Sequence, residues 1–133
     1  MSDPRRLLII DDEPDFCEIL KAQLTKEGFE VLGAGDGKQG FLLATEKVPD
    51  CILLDIRIIE GEDGLTFLRR LRSFRHDDPS FQNQIRKLPV IVITATGDGM
   101  RPLFQSEGIS DFIVKPFDTA DLKSRILKAV SKS

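Results

Sequence analysis

The segment Leu7-Leu8-Ile9-Ile10-Asp11-Asp12 decides how the rest of the chain is read. Four apolar residues in succession, with no helical gap, suit a strand buried on both faces, and such strands belong to parallel sheets. The run stops at two acids. Pro14 suits the first turn of a helix, and Phe16, Ile19, Leu20 and Leu24 follow at helical spacing as far as Gly28, a natural C-terminal stop. A greasy strand that ends in charge and passes directly into a helix is the opening unit of an α/β fold.

The unit recurs along the chain. Phe29 to Leu32 reads as a weaker second strand, and Gly35-Asp36-Gly37 as a turn. Phe41, Leu42 and Ala44 then mark a helix that stops before Pro49. Cys51 to Leu54 is a third strand ending at Asp55, and Leu65, Leu68 and Leu71 mark the helix after it. A polar stretch from Arg75 to Lys87 interrupts the pattern and reads as a long loop. Val90 to Ile93 is a fourth strand ending at Thr94, followed by a short helical segment around Leu103 and Phe104. Phe112 to Val114 is a fifth strand ending at Lys115-Pro116. Leu122, Ile126, Leu127 and Val130 form a last helix, capped by Asp118 or Thr119. Five strands alternating with five helices predict a parallel sheet sandwiched in a single α/β domain.

Composition limits the chemistry. The chain has 133 residues, long enough to bury a core without a disulfide or metal staple. Its 19 basic and 22 acidic residues leave a net charge of −3, which argues against generic binding to nucleic acid or to an anionic membrane. The first apolar run is too short for a signal peptide or a membrane span. Cys17 and Cys51 read as small buried hydrophobes of a cytoplasmic protein. One histidine and two cysteines exclude the usual zinc clusters. Carboxylate chemistry is what remains.

In open parallel sheets, ligands bind beyond the carboxyl ends of the strands. Here those ends carry Asp11-Asp12, Asp55, Thr94 and Lys115. A single polar strand end is unremarkable, but here four coincide. Carboxylates gathered at one edge repel: a pair 4 Å apart costs about 4 kcal/mol at an effective dielectric of 20. Hard oxygen donors of this kind suit magnesium, and Lys115 and Thr94 suit the oxygens of an anion. Acids, divalent metal, amine and hydroxyl together describe a phosphoryl site in which one carboxylate is free to act as nucleophile.

Over essentially its full length the chain resembles the receiver domain of bacterial two-component response regulators. The resemblance is carried by Leu8-Ile9-Ile10-Asp11-Asp12-Glu13-Pro14, by Pro49 to Asp55, by Pro89 to Ala95 and by Asp111 to Phe117. It implies a three-layer, doubly wound, flavodoxin-like fold with strand order 2-1-3-4-5. It also implies one receiver over residues 1–133 with no effector domain, of the single-domain type that includes the chemotaxis regulators. On the family's pattern Asp55 is the phosphoacceptor. Asp12 and Asp55 are direct magnesium ligands, Asp11 acts largely through water, and the backbone carbonyl of Arg57 completes the protein ligands. Thr94 and Lys115 contact the phosphoryl group, Lys115 being paired with Asp55 beforehand across a Lys115–Pro116 cis bond. Phe112 is the aromatic that turns inward when Thr94 is drawn to the phosphoryl oxygens. Arg57 and Thr96 sit where the family tunes dephosphorylation.

The implied function is a switch rather than an enzyme: self-catalysed phosphoryl transfer from a sensor histidine kinase or phosphotransfer protein, slow autodephosphorylation, and a downstream protein target. No nucleic acid or membrane insertion is expected. A receiver-like interaction module that works without phosphate is the alternative, although such modules more often lose Asp55, Asp12 or Lys115. A flavin carrier is disfavoured because Asp11-Asp12 would repel its phosphate.

Three departures stand out. Ile59 occupies a position the family usually gives to proline, and Glu60-Gly61-Glu62-Asp63-Gly64 reads one residue long, so a differently shaped active-site loop is expected. The connection from Ser73 to Leu88 is long, and its His76-Asp77-Asp78 reads as solvated loop rather than metal site. Gly97-Asp98-Gly99-Met100 and Pro102 predict a short fourth helix. Arg69, Arg70, Arg72 and Arg75 read as a largely solvated basic helix face.

Overall fold

The computed structural model describes residues 4–56, 61–95 and 99–131, without the side chains of 61–63. The apolar run that opens the chain lies in β1 (Arg6–Ile10), which leads into α1 (Pro14–Lys26). There follow β2 (Glu30–Ala34), α2 (Gly37–Lys47), β3 (Cys51–Ile56), α3 (Gly61–Arg72), α4 (Pro79–Arg86), β4 (Val90–Thr94), α5 (Arg101–Glu107), β5 (Asp111–Val114) and α6 (Thr119–Ser131). All pairings are parallel, in the order β2-β1-β3-β4-β5, so the chain reverses direction across the sheet beside β1. This is the doubly wound, flavodoxin-like order expected, and its crevice falls between β1 and β3.

Strand alternation sorts the core into two layers. Leu7, Ile9, Cys51, Leu53, Ile91, Ile93 and Ile113 pack with Leu20 and Leu24 of α1 and Leu122 and Ile126 of α6. The intervening Leu8, Ile10, Ile52, Leu54, Ile56, Val90, Val92 and Phe112 pack with α2, α3, α4 and α5 on the other side. Every residue from Leu7 to Ile10 and from Cys51 to Leu54 is at most 3% exposed, as strands covered on both faces require.

Local signals set the helix ends. Pro14 opens α1, and Gly28 follows it with φ of 98°. Asp36 caps α2 by accepting from Gln39 N–H at 2.8 Å, and Asp118 caps α6 by accepting from Asp121 N–H at 2.7 Å. Gly40 and Gly64 let their helices close onto the sheet. A methyl group at Gly64 would sit 2.5 Å from Ile56 Cγ2, and one at Gly40 would collide with Ile10.

Two expectations need correction. The stretch from Arg75 to Lys87 is not all loop, because it contains α4, a sixth helix. Asp78 caps α4 and Pro79 opens it; Ile85 is fully buried, and Phe81 packs against the same core. Glycine and acid residues 61–64, read as an active-site loop, begin α3 instead. Helix α5 is short, with 7 residues, as expected.

Candidate functional site

The carboxyl ends of β1, β3 and β5 meet in one place. Asp11 continues the side-chain parity of Leu7 and Ile9, Asp55 that of Cys51 and Leu53, and Lys115 that of Ile113. All three therefore emerge on the α1 and α6 side. Lys115 Nζ stands 2.6 Å from Asp55 Oδ2, with side-chain exposures of 20% and 6%. Asp11 is 5% exposed; its Oδ1 accepts from Glu13 N–H at 2.9 Å, and its buried Oδ2 has no hydrogen-bond partner among the described residues.

Electrostatics follow from this crowding. Burial pushes the Asp55 carboxyl up to about 7; Lys115 pulls it down and neighbouring Asp11 pushes it up. Burial also raises Asp11, against the Glu13 N–H and Lys115. The two carboxyls act on each other, and one ammonium does not neutralise both. Asp12 is exposed and lines the same cleft, a cavity of about 80 Å³ whose floor includes Gly35, Gly64 and Phe67.

Thr94 lies on the other parity, 2% exposed, and its carbonyl accepts from Lys115 N–H at 2.7 Å. It shares that face with Phe112, which is paired with Val92, is 2% exposed and lies between Phe104 and the Arg101 guanidinium. The Lys115–Pro116 bond is cis, as expected. Of the residues singled out from sequence, the structure thus brings together Asp11, Asp12, Asp55 and Lys115. It sets Thr94 at the adjoining strand end and Phe112 beneath it. Arg57, Ile59, Glu60 and Thr96 lie outside the described residues.

Sequence reasoning missed Phe16, whose ring lies 3.7 Å from Lys115 Nζ. Its helical spacing marked it only as inward-facing. His76 is exposed and stacks on Phe74, and its Nδ1 accepts from Asp78 N–H at 3.0 Å, so it serves the start of α4. Arg72 is no solvated residue. Its guanidinium donates to the carbonyls of Gly108, Arg86 and Leu88 at 2.7–3.0 Å.

Among the described residues no three His, Cys, Asp or Glu side chains form a ready-made metal cluster. The orphaned Asp11 oxygen, the Asp55 carboxylate and an open cleft nevertheless suit magnesium, which takes one or two carboxylates and keeps several waters. The residues fit the ion.

The sheet is doubly wound and carries a lysine-paired aspartate beyond its strand ends, at the topological switch. The family model of the response regulator receiver domain matches residues 7–127, and the chain belongs to that family, which works in two-component signalling. It is 39% identical over 122 residues to the response regulator PleD of Caulobacter vibrioides, a match covering 91% of this chain and 25% of that protein. The chain thus spans about a quarter of the length of the curated relatives it matches. A receiver domain protein from Clostridium thermocellum superposes with a TM-score of 0.78 at 26% identity, covering 96% of this chain and 95% of that one. The receiver domain of sensor histidine kinase PA1611 from Pseudomonas aeruginosa, solved with magnesium in its active site cleft, gives 0.75 at 25% identity, covering 96% and 98%. No described helix is long and apolar enough to cross a membrane.

Proposed function

We propose that this chain is a phosphorylation switch whose phosphoacceptor is Asp55. The observation that carries the reading is the 2.6 Å Lys115–Asp55 ion pair beside a second buried carboxyl. Asp55 is the strand-end carboxylate held by an amine and open to the cleft. Asp11, with an orphaned oxygen and a raised carboxyl, is built to balance a cation.

Asp55 attacks the phosphorus of a phosphohistidine on a sensor kinase or phosphotransfer protein. The Asp55 O–P bond forms as the N–P bond breaks, and the imidazole leaves with its electron pair and takes up a proton. Lys115 holds the attacking carboxylate and then faces the phosphoryl oxygens, while the Thr94 hydroxyl donates to one of them. Asp11, Asp12 and Asp55 would hold magnesium, which supplies charge neutralisation when bound. Movement of Thr94 frees space on the Phe112 side of the sheet, and Phe112, Phe104 and Arg101 repack into the changed binding surface. Water returns the acyl phosphate slowly to the carboxylate. Work in the cytoplasm, with a protein target downstream, fits this chemistry.

The test is incubation with magnesium and acetyl phosphate, read by intact-mass spectrometry. The protein gains one phosphoryl group and Asp55→Asn gains none. A gain that persists in Asp55→Asn would sink the assignment of the acceptor.

A further inference from the structure

We infer that Phe16 is a positioning residue for phosphoryl transfer: its ring holds the Lys115 ammonium in place while the charge on Asp55 changes. The inference rests on the reading of Asp55 as the acceptor. Lys115 Nζ lies 3.7 Å from the centre of the Phe16 ring and 2.6 Å from Asp55 Oδ2. The ring on one side and the carboxylate on the other fix the end of a long, flexible stem. Phe16 is itself held. It sits in the first turn of α1, where Cys17 N–H donates to the Glu13 carbonyl at 3.1 Å, and it meets Phe117 edge-on at 6.5 Å between ring centres.

The chemistry explains why an aromatic partner matters here. When Asp55 is esterified, the oxygen that paired with Lys115 passes its charge to the phosphoryl group. An amine held only by that carboxylate would lose its anchor during the reaction. The negative face of a benzene ring is unchanged by phosphorylation, and a cation over it is attracted more strongly as it loses water. The Lys115 side chain is 80% removed from solvent. The ring therefore keeps the amine aimed at the oxygens as charge develops on them.

Phe16→Leu keeps an apolar side chain and removes the π face; Phe16→Tyr keeps the face. With saturating magnesium and acetyl phosphate, the leucine variant should be phosphorylated roughly fivefold more slowly, and the tyrosine variant should return to within about twofold of the parent. Magnesium affinity should move less than about twofold in both. A proton NMR arm needs no phosphoryl donor: ring current shifts the Lys115 Cε protons upfield in the parent and in Phe16→Tyr, and the shift is lost in Phe16→Leu. Equal rates in parent and leucine variant, or loss of rate in both variants that follows their melting temperatures, would overturn the inference. So would Lys115 Cε protons at the free-lysine position in the parent. A parent that shows the ring-current shift yet takes no phosphoryl group overturns the acceptor reading instead, and with it Phe16's part in transfer.

Discussion

The two ends of the sheet treat charge in opposite ways. At the amino ends of the strands, each buried or half-buried charge has partners. Arg72 donates to three carbonyls, the Arg6 guanidinium pairs with Glu30 at 2.9 Å, and Arg125 reaches Asp111 at 2.9 Å. At the carboxyl ends, Asp11 and Asp55 crowd together with one ammonium, paired with Asp55, and Asp11 keeps a buried oxygen without a hydrogen bond among the described residues. One edge is built for stability. The other stores repulsion that a cation and an anionic group can relieve, as functional sites commonly do.

Arg72→Ala tests the stable edge and should have the largest effect. It strands the carbonyls of Arg86, Leu88 and Gly108, which tie α4 and the starts of β4 and β5 to α3. Each partly buried acceptor left unpaired costs about 1–3 kcal/mol, and water replaces some of the bonds. A loss of about 3 kcal/mol is expected in urea unfolding. A loss below about 1 kcal/mol would place the guanidinium effectively in solvent and erase the contrast.

The other edge should respond with the opposite sign. Without metal at pH 8, Asp55→Asn removes one of two crowded carboxylates and should raise stability by about 1 kcal/mol, measured in the presence of a chelator. The pH dependence follows from the same residue. The ordinary carboxyl value is 3.8 and burial lifts Asp55 to about 7. Between those values the folded state keeps a proton that the unfolded chain has released, so stability falls as pH rises through this window and is lowest above 7. Melting temperature in chelator should therefore increase as pH is lowered from 8 to 5. The slope should flatten in Asp55→Asn and in millimolar magnesium, whose binding favours the ionised pair. A rising profile from pH 5 to 8 would contradict the repulsion at this edge.

The difference between the ends also explains what could be read from sequence. Uninterrupted apolar runs at Leu7 to Ile10 and Cys51 to Leu54 declare central parallel strands. The fold then carries Asp11, Asp55 and Lys115 to one edge with no further information. Helix α4 was hidden because Phe81 and Ile85 are its main apolar residues, set among Ser80, Gln82, Asn83 and Gln84. The signal was there in Asp78-Pro79 and the four-residue spacing of those two side chains. Arg72 could not be distinguished from its arginine neighbours, because backbone carbonyl partners carry no sequence signature. Phe16 was legible as inward-facing, but the identity of what it faces depends on how β5 ends.

Val48 gives the smallest test, because it is a strained point at the otherwise satisfied edge. It ends α2 with φ of 44° and ψ of 76°, its N–H donating to the Ala44 carbonyl. Pro49 stops the helix here, since the residue before a proline is disfavoured in the helical region. A β-branched residue with positive φ costs about 1–3 kcal/mol, whereas asparagine tolerates that region. Against this, Val48 is half-buried against the α2 and α3 core, and trimming its apolar contact loses about 1 kcal/mol. Strain relief wins narrowly. Val48→Asn should raise stability by about 0.5 kcal/mol with an unchanged denaturant slope, and phosphoryl uptake should stay as in the parent, because the residue lies at the far end of the sheet from Asp55. A loss of 1 kcal/mol or more would mean that Val48 packing outweighs its backbone strain, and that this edge is optimised even where its dihedral angles are poor.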